Sequence, residues 1–212
     1  MGMISANDAL LRLKEGNLRF RAGESQHIEV DALIHPQLAS DQAPFAIILG
    51  CSDSRVPAEI VFGQGVGDLF VIRVAGNIVA PSQIGSIEFA AEKFGTRLVV
   101  VLGHSMCGAV EATLEQLTQP TESRSPNLYA IVDRIRPAIE PLINSANSDD
   151  PVDLMQRAVR SNIEASVENL RHGSSILESL ITQGKLLIVG AEYCLDSGVV
   201  DFFENSNNAA RR

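Results

Sequence analysis

The chain has 212 residues, of which 45% are hydrophobic and 20% are charged, proportions that are typical of a soluble protein with a substantial core. Its formal net charge of −9 argues against a nucleic-acid backbone as a partner. No apolar run approaches the roughly 18 residues of a membrane span, and the N-terminus lacks a signal pattern, so we expect a cytoplasmic protein without a membrane partner.

The N-terminal segment is predicted to form a helix followed by a polar arm. Ser5 has a carboxylate three residues later, which is typical of a helix start, and apolar residues recur at helical spacing to about Phe20. Residues 21–43 show no strong period and predict an extended arm or loop. His27 and His35 lie in this arm, and we expect them to be surface residues.

The rest of the chain alternates between strands and helices. Apolar runs rich in branched residues predict four strands, and a run after a glycine predicts a fifth, antiparallel edge strand: residues 45–49, 69–74, 98–102, 186–190 and 199–203. Helical spacing predicts helices over residues 56–62, 83–94, 128–143, 152–172 and 174–182, and one that starts near residue 107.

This alternation predicts an α/β fold with a mostly parallel four-stranded sheet, an antiparallel fifth edge strand and helices on both faces. Neither an internal repeat nor a linker is visible in the sequence. We therefore expect one domain over residues 1–212, with an N-terminal helix and arm over residues 1–43 and a disordered tail over residues 205–212.

Reactive side chains follow two of the predicted strands. Cys51, Asp53 and Arg55 come directly after the first strand, and His104 and Cys107 follow the third. If these strands are neighbours, their carboxyl ends bring the two thiols and the imidazole together, at the edge where open α/β sheets bind ligands. Two thiolates and one imidazole with an open fourth position form a typical catalytic zinc site.

Two questions about this cluster remain open from the residues alone. Asp53 either fills the fourth position on the metal or pairs with Arg55. Cys107 is predicted to begin a helix, whose N-terminus would lower the pKa of its thiol. Three cysteines are too few for a disulfide framework, and we interpret the third, Cys194, as a small buried apolar residue.

Several segments resemble the signature sequences of the β class of carbonic anhydrases, and the resemblance covers roughly residues 5–203. The matching segments are Cys51–Arg55, Gly67–Arg73, Ala75–Asn77, Gly103–Gly108 and Val189–Ala191. The resemblance implies reversible hydration of carbon dioxide to bicarbonate and a proton by a zinc-bound hydroxide. It also implies a homodimer, or a tetramer built as a dimer of dimers.

The same resemblance implies roles for individual residues. One zinc per chain would be bound by Cys51, His104 and Cys107, with Asp53 as a fourth ligand only in a closed state, and Asp53 and Arg55 would form a catalytic dyad. The residues implied in substrate binding hydrogen-bond the anion or line an apolar pocket shared with a partner chain: Gln42, Phe70, Ala75, Phe89 and Gly108. Two anionic ligands favour a less acidic zinc water, and therefore activity that grows toward alkaline pH.

The sequence departs from the family pattern at two places. Phe89 stands where many plant-type members have tyrosine, so the pocket loses a hydroxyl. Ile48 stands where members with a bicarbonate regulatory site have tryptophan, although Arg73 matches the arginine of that site and Tyr193 lies near its tyrosine. We therefore predict that bicarbonate does not regulate this chain through that site.

Three alternative functions use the same residues. A purely structural zinc site would have Asp53 as a permanent fourth ligand. A related zinc hydrolase would act on carbonyl sulfide or carbon disulfide. A thiol enzyme would use Cys51 as nucleophile and His104 as base, and would be active without metal.

Overall fold

The computed structural model describes residues 4–24, 36–119, 125–144 and 150–203. The predicted tail and residues 25–35 of the predicted arm, which include His27 and His35, lie outside these ranges. The helices of the described residues are α1 (Ala6–Arg21), α2 (Pro36–Ser40), α3 (Ala58–Val61), α4 (Pro81–Lys93), α5 (Gly108–Thr118), α6 (Pro126–Asn144), α7 (Pro151–His172) and α8 (Ser175–Thr182). The strands are β1 (Ala46–Gly50), β2 (Leu69–Arg73), β3 (Leu98–His104), β4 (Leu187–Tyr193) and β5 (Val200–Phe202), and a 3₁₀ turn covers Ala75–Asn77.

The five strands form one sheet in the order β2-β1-β3-β4-β5. The first four are parallel to their neighbours, and β5 runs antiparallel to β4 at the edge. The predicted fold class is therefore confirmed. Every residue of β1 and β3 is buried, as expected for central strands that are covered on both sides.

Alternation along the central strands divides the core into two layers. One layer contains Ile47, Leu49, Val99 and Val101 of the sheet, packed against α4 to α8. The other contains sheet residues of opposite parity, packed against α1 and α3. Helices thus cover both faces of the sheet. None of the described helices is both long enough and apolar enough to cross a membrane.

Several element boundaries differ from prediction, and β3 and α2 are two examples. β3 continues to His104, because its ladder with β4 extends through the pair His104 and Tyr193. α2 lies in the segment that was predicted to be an extended arm or loop, so that part of the prediction was wrong. α1 agrees with prediction, and the Ser5 Oγ accepts a hydrogen bond from the Asp8 amide at its N-terminus.

Candidate metal centre

Strand register brings Cys51, His104 and Cys107 together. β1 and β3 are parallel neighbours with Gly50 opposite Leu102, so Cys51 leaves β1 beside the end of β3. One ligand atom from each of the three residues lies within 4.8 Å of the others, and all three residues are buried. The structure therefore brings together the three side chains that the sequence analysis selected.

A tight turn returns the chain from His104 to Cys107. Met106 adopts φ 55°, a left-handed conformation that is uncommon for a residue with a β-carbon. The Ser105 amide donates to the Tyr193 carbonyl at 3.0 Å, and the Ser105 Oγ accepts from the Leu195 amide at 3.0 Å. These bonds anchor the turn to β4, and Cys107 then occupies the N-cap of α5.

The imidazole of His104 is oriented as a metal ligand. It is fully buried, and its Nδ1 lies 2.9 Å from the Ser105 carbonyl oxygen, to which a protonated Nδ1 donates. Its Nε2 is buried and has no hydrogen-bond partner among the described residues. When a carbonyl oxygen holds one ring nitrogen of a histidine, the other ring nitrogen is left free to bind a metal. With two thiols beside it, this donor set fits zinc.

The two cysteines of the cluster have pKa values that shift in opposite directions. The pKa of Cys51 is lowered to about 4, first because Cys107 hydrogen-bonds its sulfur and then because the neighbouring His104 and the Gly76 amide stabilise the thiolate. The pKa of Cys107 is raised, because it holds the shared proton beside the Cys51 thiolate and because it is buried. The amides at the N-terminus of α5 act in the lowering direction, as the sequence predicted, but the shared proton and burial outweigh them.

His104 responds to the same neighbours. Burial by itself lowers the pKa of the imidazole, but the neighbouring Cys51 sulfur and the Ser105 carbonyl raise it. The negative charges of Cys51 and Asp53 act in the same raising direction, so that the net shift is upward. The metal-free cluster therefore holds protons that a bound cation has to displace.

Asp53 is held by Arg55 in a two-point ion pair. The Arg55 Nε donates to Asp53 Oδ1 at 2.9 Å and its Nη2 donates to Oδ2 at 2.7 Å, while the Arg55 amide also donates to Oδ1 at 2.9 Å. These bonds hold the pKa of the Asp53 carboxyl well below its usual range. Asp53 Oδ2 lies 3.8 Å from His104 Nε2, at the edge of the cluster. The carboxylate is thus ionised, fixed and beside the three ligands.

Arg73 makes a contact in this site that was not predicted from the sequence. Its Nε donates to the Cys51 carbonyl at 2.9 Å and its Nη2 donates to the Asp53 carbonyl at 2.5 Å, so this side chain braces the backbone of the cysteine loop. The side chain of Ile48 is fully buried, and Tyr193 is also buried. The β2–β1 pairing places Arg73 beside Gly50, a register that the sequence alone does not give.

Two buried polar residues of α7 were also missed. Asn162 and Ser166 are one turn apart on a helix face whose other buried members are mainly apolar. Both reach the 3₁₀ turn, where Asn162 Nδ2 donates to the Gly76 carbonyl at 2.9 Å and Ser166 Oγ donates to the Asn77 carbonyl at 3.1 Å. Polar residues at i and i+4 inside an apolar stripe were the signal that would have found them.

The residues that were predicted to bind substrate fall into two groups. Ala75 begins the 3₁₀ turn beside Cys51, and Gly108 is the first residue of α5, so both are close to the cluster. Gln42, Phe70 and Phe89 lie away from the cluster.

Gln42 is exposed and precedes the amino end of β1, whereas Cys51 follows its carboxyl end. At about 3.3 Å per residue, β1 alone separates the two by roughly 16 Å. Phe70 pairs with Ile47 near the amino end of the sheet, and its ring packs with those of Phe89 and Phe94 at centroid distances of 6.4 and 6.1 Å. Within one chain, these side chains do not meet the cluster.

The third cysteine lies outside the cluster. Cys194 follows β4 and is partly exposed, so the expectation of a buried apolar residue was wrong. Its side chain interacts with Ser197, whose hydrogen bond lowers the pKa of the thiol. A tight turn explains the exposure, since the Gly198 amide donates to the Cys194 carbonyl at 2.9 Å just before the chain enters β5.

The chain is similar to known proteins in both sequence and fold. The family model described as "Carbonic anhydrase" matches residues 46–200. Carbonic anhydrase 2 of Mycobacterium tuberculosis is 40% identical over 188 residues, which cover 88% of this chain and 87% of that protein. The carbonic anhydrase of Mycolicibacterium smegmatis is 38% identical over 89% of each chain. The solved structure of the β-carbonic anhydrase CcaA has a TM-score of 0.70 at 28% identity and covers 92% of this chain and 95% of its own.

Proposed function

The chain belongs to the β class of carbonic anhydrases, and on that premise we propose that it hydrates carbon dioxide reversibly with one zinc ion bound by Cys51, His104 and Cys107. The observation that carries the proposal is the buried, unpartnered Nε2 of His104, which faces two cysteine sulfurs within 4.8 Å. A buried nitrogen without a partner costs free energy unless a ligand pairs with it. Zinc is the metal that this donor set favours.

Zinc in such a site supplies a nucleophile at neutral pH, because it lowers the pKa of a coordinated water from about 15.7 toward about 7. The remaining work falls to the protein. Asp53 accepts a hydrogen bond from the nucleophile. This bond orients a lone pair of the nucleophile toward the substrate carbon. Arg55 holds Asp53 ionised and away from the zinc ion. Its two side-chain hydrogen bonds to the carboxylate support this role.

The substrate has little charge on entry and leaves as an anion. The backbone amide of Gly108, at the N-terminus of α5, is suited to donate to the anion. Ala75 offers apolar surface beside Cys51 for carbon dioxide. Gln42, Phe70 and Phe89 act in the site of a second copy of the chain, since one chain keeps them away from its own cluster.

This division of residues implies a dimer, alone or as half of a tetramer. Phe89 is 52% exposed although it packs against Phe70 and Phe94, so the three rings form an aromatic surface that a partner would cover. Among the described strands, β2 lies at the edge of the sheet and pairs on one side only, and its other side lies next to this surface. The dimer would bury the rings and complete each substrate pocket.

Other functions receive less support. A permanently closed structural site requires Asp53 on the metal, but here its carboxylate is engaged by Arg55. The relatives described above are named carbonic anhydrases, which does not favour carbonyl sulfide or carbon disulfide as the substrate. A thiol enzyme that uses Cys51 would work without metal.

One experiment separates these functions. The protein is stripped of metal with a chelator, reconstituted with zinc, and assayed by stopped flow on carbon dioxide, carbonyl sulfide and carbon disulfide. We expect hydration of carbon dioxide to vanish on stripping, to return with about one zinc per chain, and to exceed turnover of both sulfur compounds. Activity that survives stripping would instead support the thiol enzyme.

A further inference from the structure

The 3₁₀ turn next to the metal centre has an uncommon backbone. Gly76 adopts φ 70° and Asn77 adopts φ 44°, so two successive residues are left-handed. A β-carbon at position 76 would lie 2.7 Å from Ile135 Cδ1 and 3.1 Å from Ala109 Cβ, so only glycine fits. Backbone in this region persists only where surrounding contacts hold it.

The contacts that hold the turn come from one face of α7. The turn is buried, so its carbonyl groups require partners within the protein. Asn162 donates a hydrogen bond to the Gly76 carbonyl at 2.9 Å, and Ser166 donates one to the Asn77 carbonyl at 3.1 Å. Asn162 and Ser166 are 2% and 3% exposed, so bulk water does not replace either bond.

The 3₁₀ turn also contacts a cysteine of the cluster. The Gly76 amide donates to Cys51 Sγ at 3.4 Å, a buried bond across 25 residues of sequence. Three successive peptide groups therefore link α7 to the cluster: the Gly76 and Asn77 carbonyls accept hydrogen bonds from Asn162 and Ser166, and the Gly76 amide donates to the sulfur. A rigid link of this kind fixes the position and the electron density of the sulfur.

We propose that Asn162 and Ser166 are positioning residues that hold the Gly76 amide against the Cys51 sulfur and so tune this thiolate as a metal ligand. The proposal rests on the zinc centre proposed above. Neither residue touches the metal or the substrate; each acts through the turn. Removing either one should release the turn, weaken the N–H···S bond and leave more electron density on the sulfur.

The test uses two variants of α7 and two matched controls. Asn162→Ala and Ser166→Ala remove the contacts. Asn17→Ala removes a buried amide of α1 that bonds the carbonyls of Val61 and Gly198 away from the centre. Thr96→Val removes a buried hydroxyl that donates to the Pro44 carbonyl at 2.8 Å, at the opposite end of the sheet.

The readouts are zinc affinity, by competition with a chelator, and the thiolate-to-cobalt charge-transfer band of the cobalt-substituted protein. We expect both α7 variants to bind zinc about 10- to 100-fold more weakly, because the sulfur is no longer held in position. We also expect the band to shift to longer wavelength, because the sulfur is more electron-rich. Ser166→Thr keeps the hydroxyl and should retain the wild-type band. Both controls should lower the unfolding midpoint without moving the band.

An unshifted band and wild-type zinc affinity in both α7 variants would overturn the proposal while leaving the zinc enzyme intact. If Asn162→Ala does not fold, the smaller change in Ser166→Ala decides. If the wild type bound no metal, the proposed function would fail separately. The chemical shift of the Gly76 amide proton in the metal-free protein would then decide. An upfield change in the α7 variants supports the link between α7 and the Cys51 sulfur, and an unchanged shift contradicts it.

Discussion

At the scale of single residues, Asp53 and Arg55 separate a catalytic metal site from a structural one. Both residues were identified in the sequence, but from the residues alone their pairing was one of two alternatives, because a two-residue spacing also allows the carboxylate to turn toward the metal. In the structure, three hydrogen bonds from Arg55 hold the carboxylate, and His104 lies 3.8 Å beyond it. Arg55 therefore controls which partner the carboxylate takes.

We expect Arg55→Ala to keep zinc but to lose nearly all hydration activity, because the released Asp53 turns onto the metal and blocks the fourth position. Asp53→Ala should also keep zinc but retain some activity, since the position stays open and only the aim is lost. Loss of one orienting group costs about 10²- to 10³-fold in rate. Stopped-flow hydration beside metal analysis measures both variants.

Arg136→Ala is a suitable control for this pair of variants, because it removes a surface ion pair with Asp133 on α6. It should leave both the rate and the zinc content unchanged. Near-normal activity in Arg55→Ala would defeat the role assigned to the dyad.

Zinc uptake by the metal-free protein should release protons. The pKa values of Cys107 and His104 are raised, which favours the protonated forms of both groups, whereas the pKa of Cys51 is lowered to about 4. Zinc requires all three deprotonated, so we expect roughly one to two protons released per zinc and an affinity that increases with pH. Calorimetry in buffers of different ionisation enthalpy counts these protons. Uptake without proton release would contradict this description of the cluster.

At the scale of elements, the strands were predictable and their exact ends were not. Continuous branched apolar runs are visible in the sequence because central parallel strands are buried on both faces. The extension of β3 to His104 depends on its register with Tyr193. The roles of Asn162 and Ser166 depend on which face α7 presents to the 3₁₀ turn, and the contact of Arg73 depends on strand pairing. Such long-range geometry leaves little trace in local sequence.

The close packing of α7 on β3 gives a test at this scale. A β-carbon at Gly103 would lie 2.5 Å from Cγ1 and Cδ1 of Ile163, which is fully buried. We expect Gly103→Ala to lower the free energy of unfolding by about 1–3 kcal/mol through overpacking. Urea unfolding at fixed protein concentration measures the loss.

Two further variants check the cause. Gly85→Ala is the matched control, since a β-carbon there meets nothing within 4 Å and the helix α4 should gain about 0.5–1 kcal/mol. In the double variant Gly103→Ala/Ile163→Ala, the two losses should be less than additive, because the second change removes the clash. Full additivity, or unchanged stability of Gly103→Ala, would show that α7 does not pack this tightly.

At the scale of the whole molecule, one chain does not complete the proposed pocket. Gln42, Phe70 and Phe89 belong to the amino end of the sheet, whereas the cluster lies at the carboxyl end. The sequence resemblance pointed to a pocket shared between chains, and the separation of these residues within one chain agrees with that view. No local pattern could have given this, since it is a property of two copies.

We expect Phe89→Glu to convert the proposed dimer to monomers and to reduce hydration activity, because a charge would enter the aromatic surface of Phe70, Phe89 and Phe94. Sedimentation velocity at the assay concentration measures the assembly. Val152→Glu, at an exposed apolar position at the start of α7, is the control and should change neither property. A wild-type protein that is fully active as a monomer would contradict the shared pocket.

The most direct test of the zinc centre combines metal content with hydration rate in two cysteine variants. Cys107→Ser removes a proposed ligand, whereas Cys194→Ser changes a cysteine outside the cluster. The wild type and Cys194→Ser should each contain about one zinc per chain and hydrate carbon dioxide equally fast, while Cys107→Ser should lose most of its zinc and its activity. A wild-type protein that is free of metal and fully active would contradict the central claim.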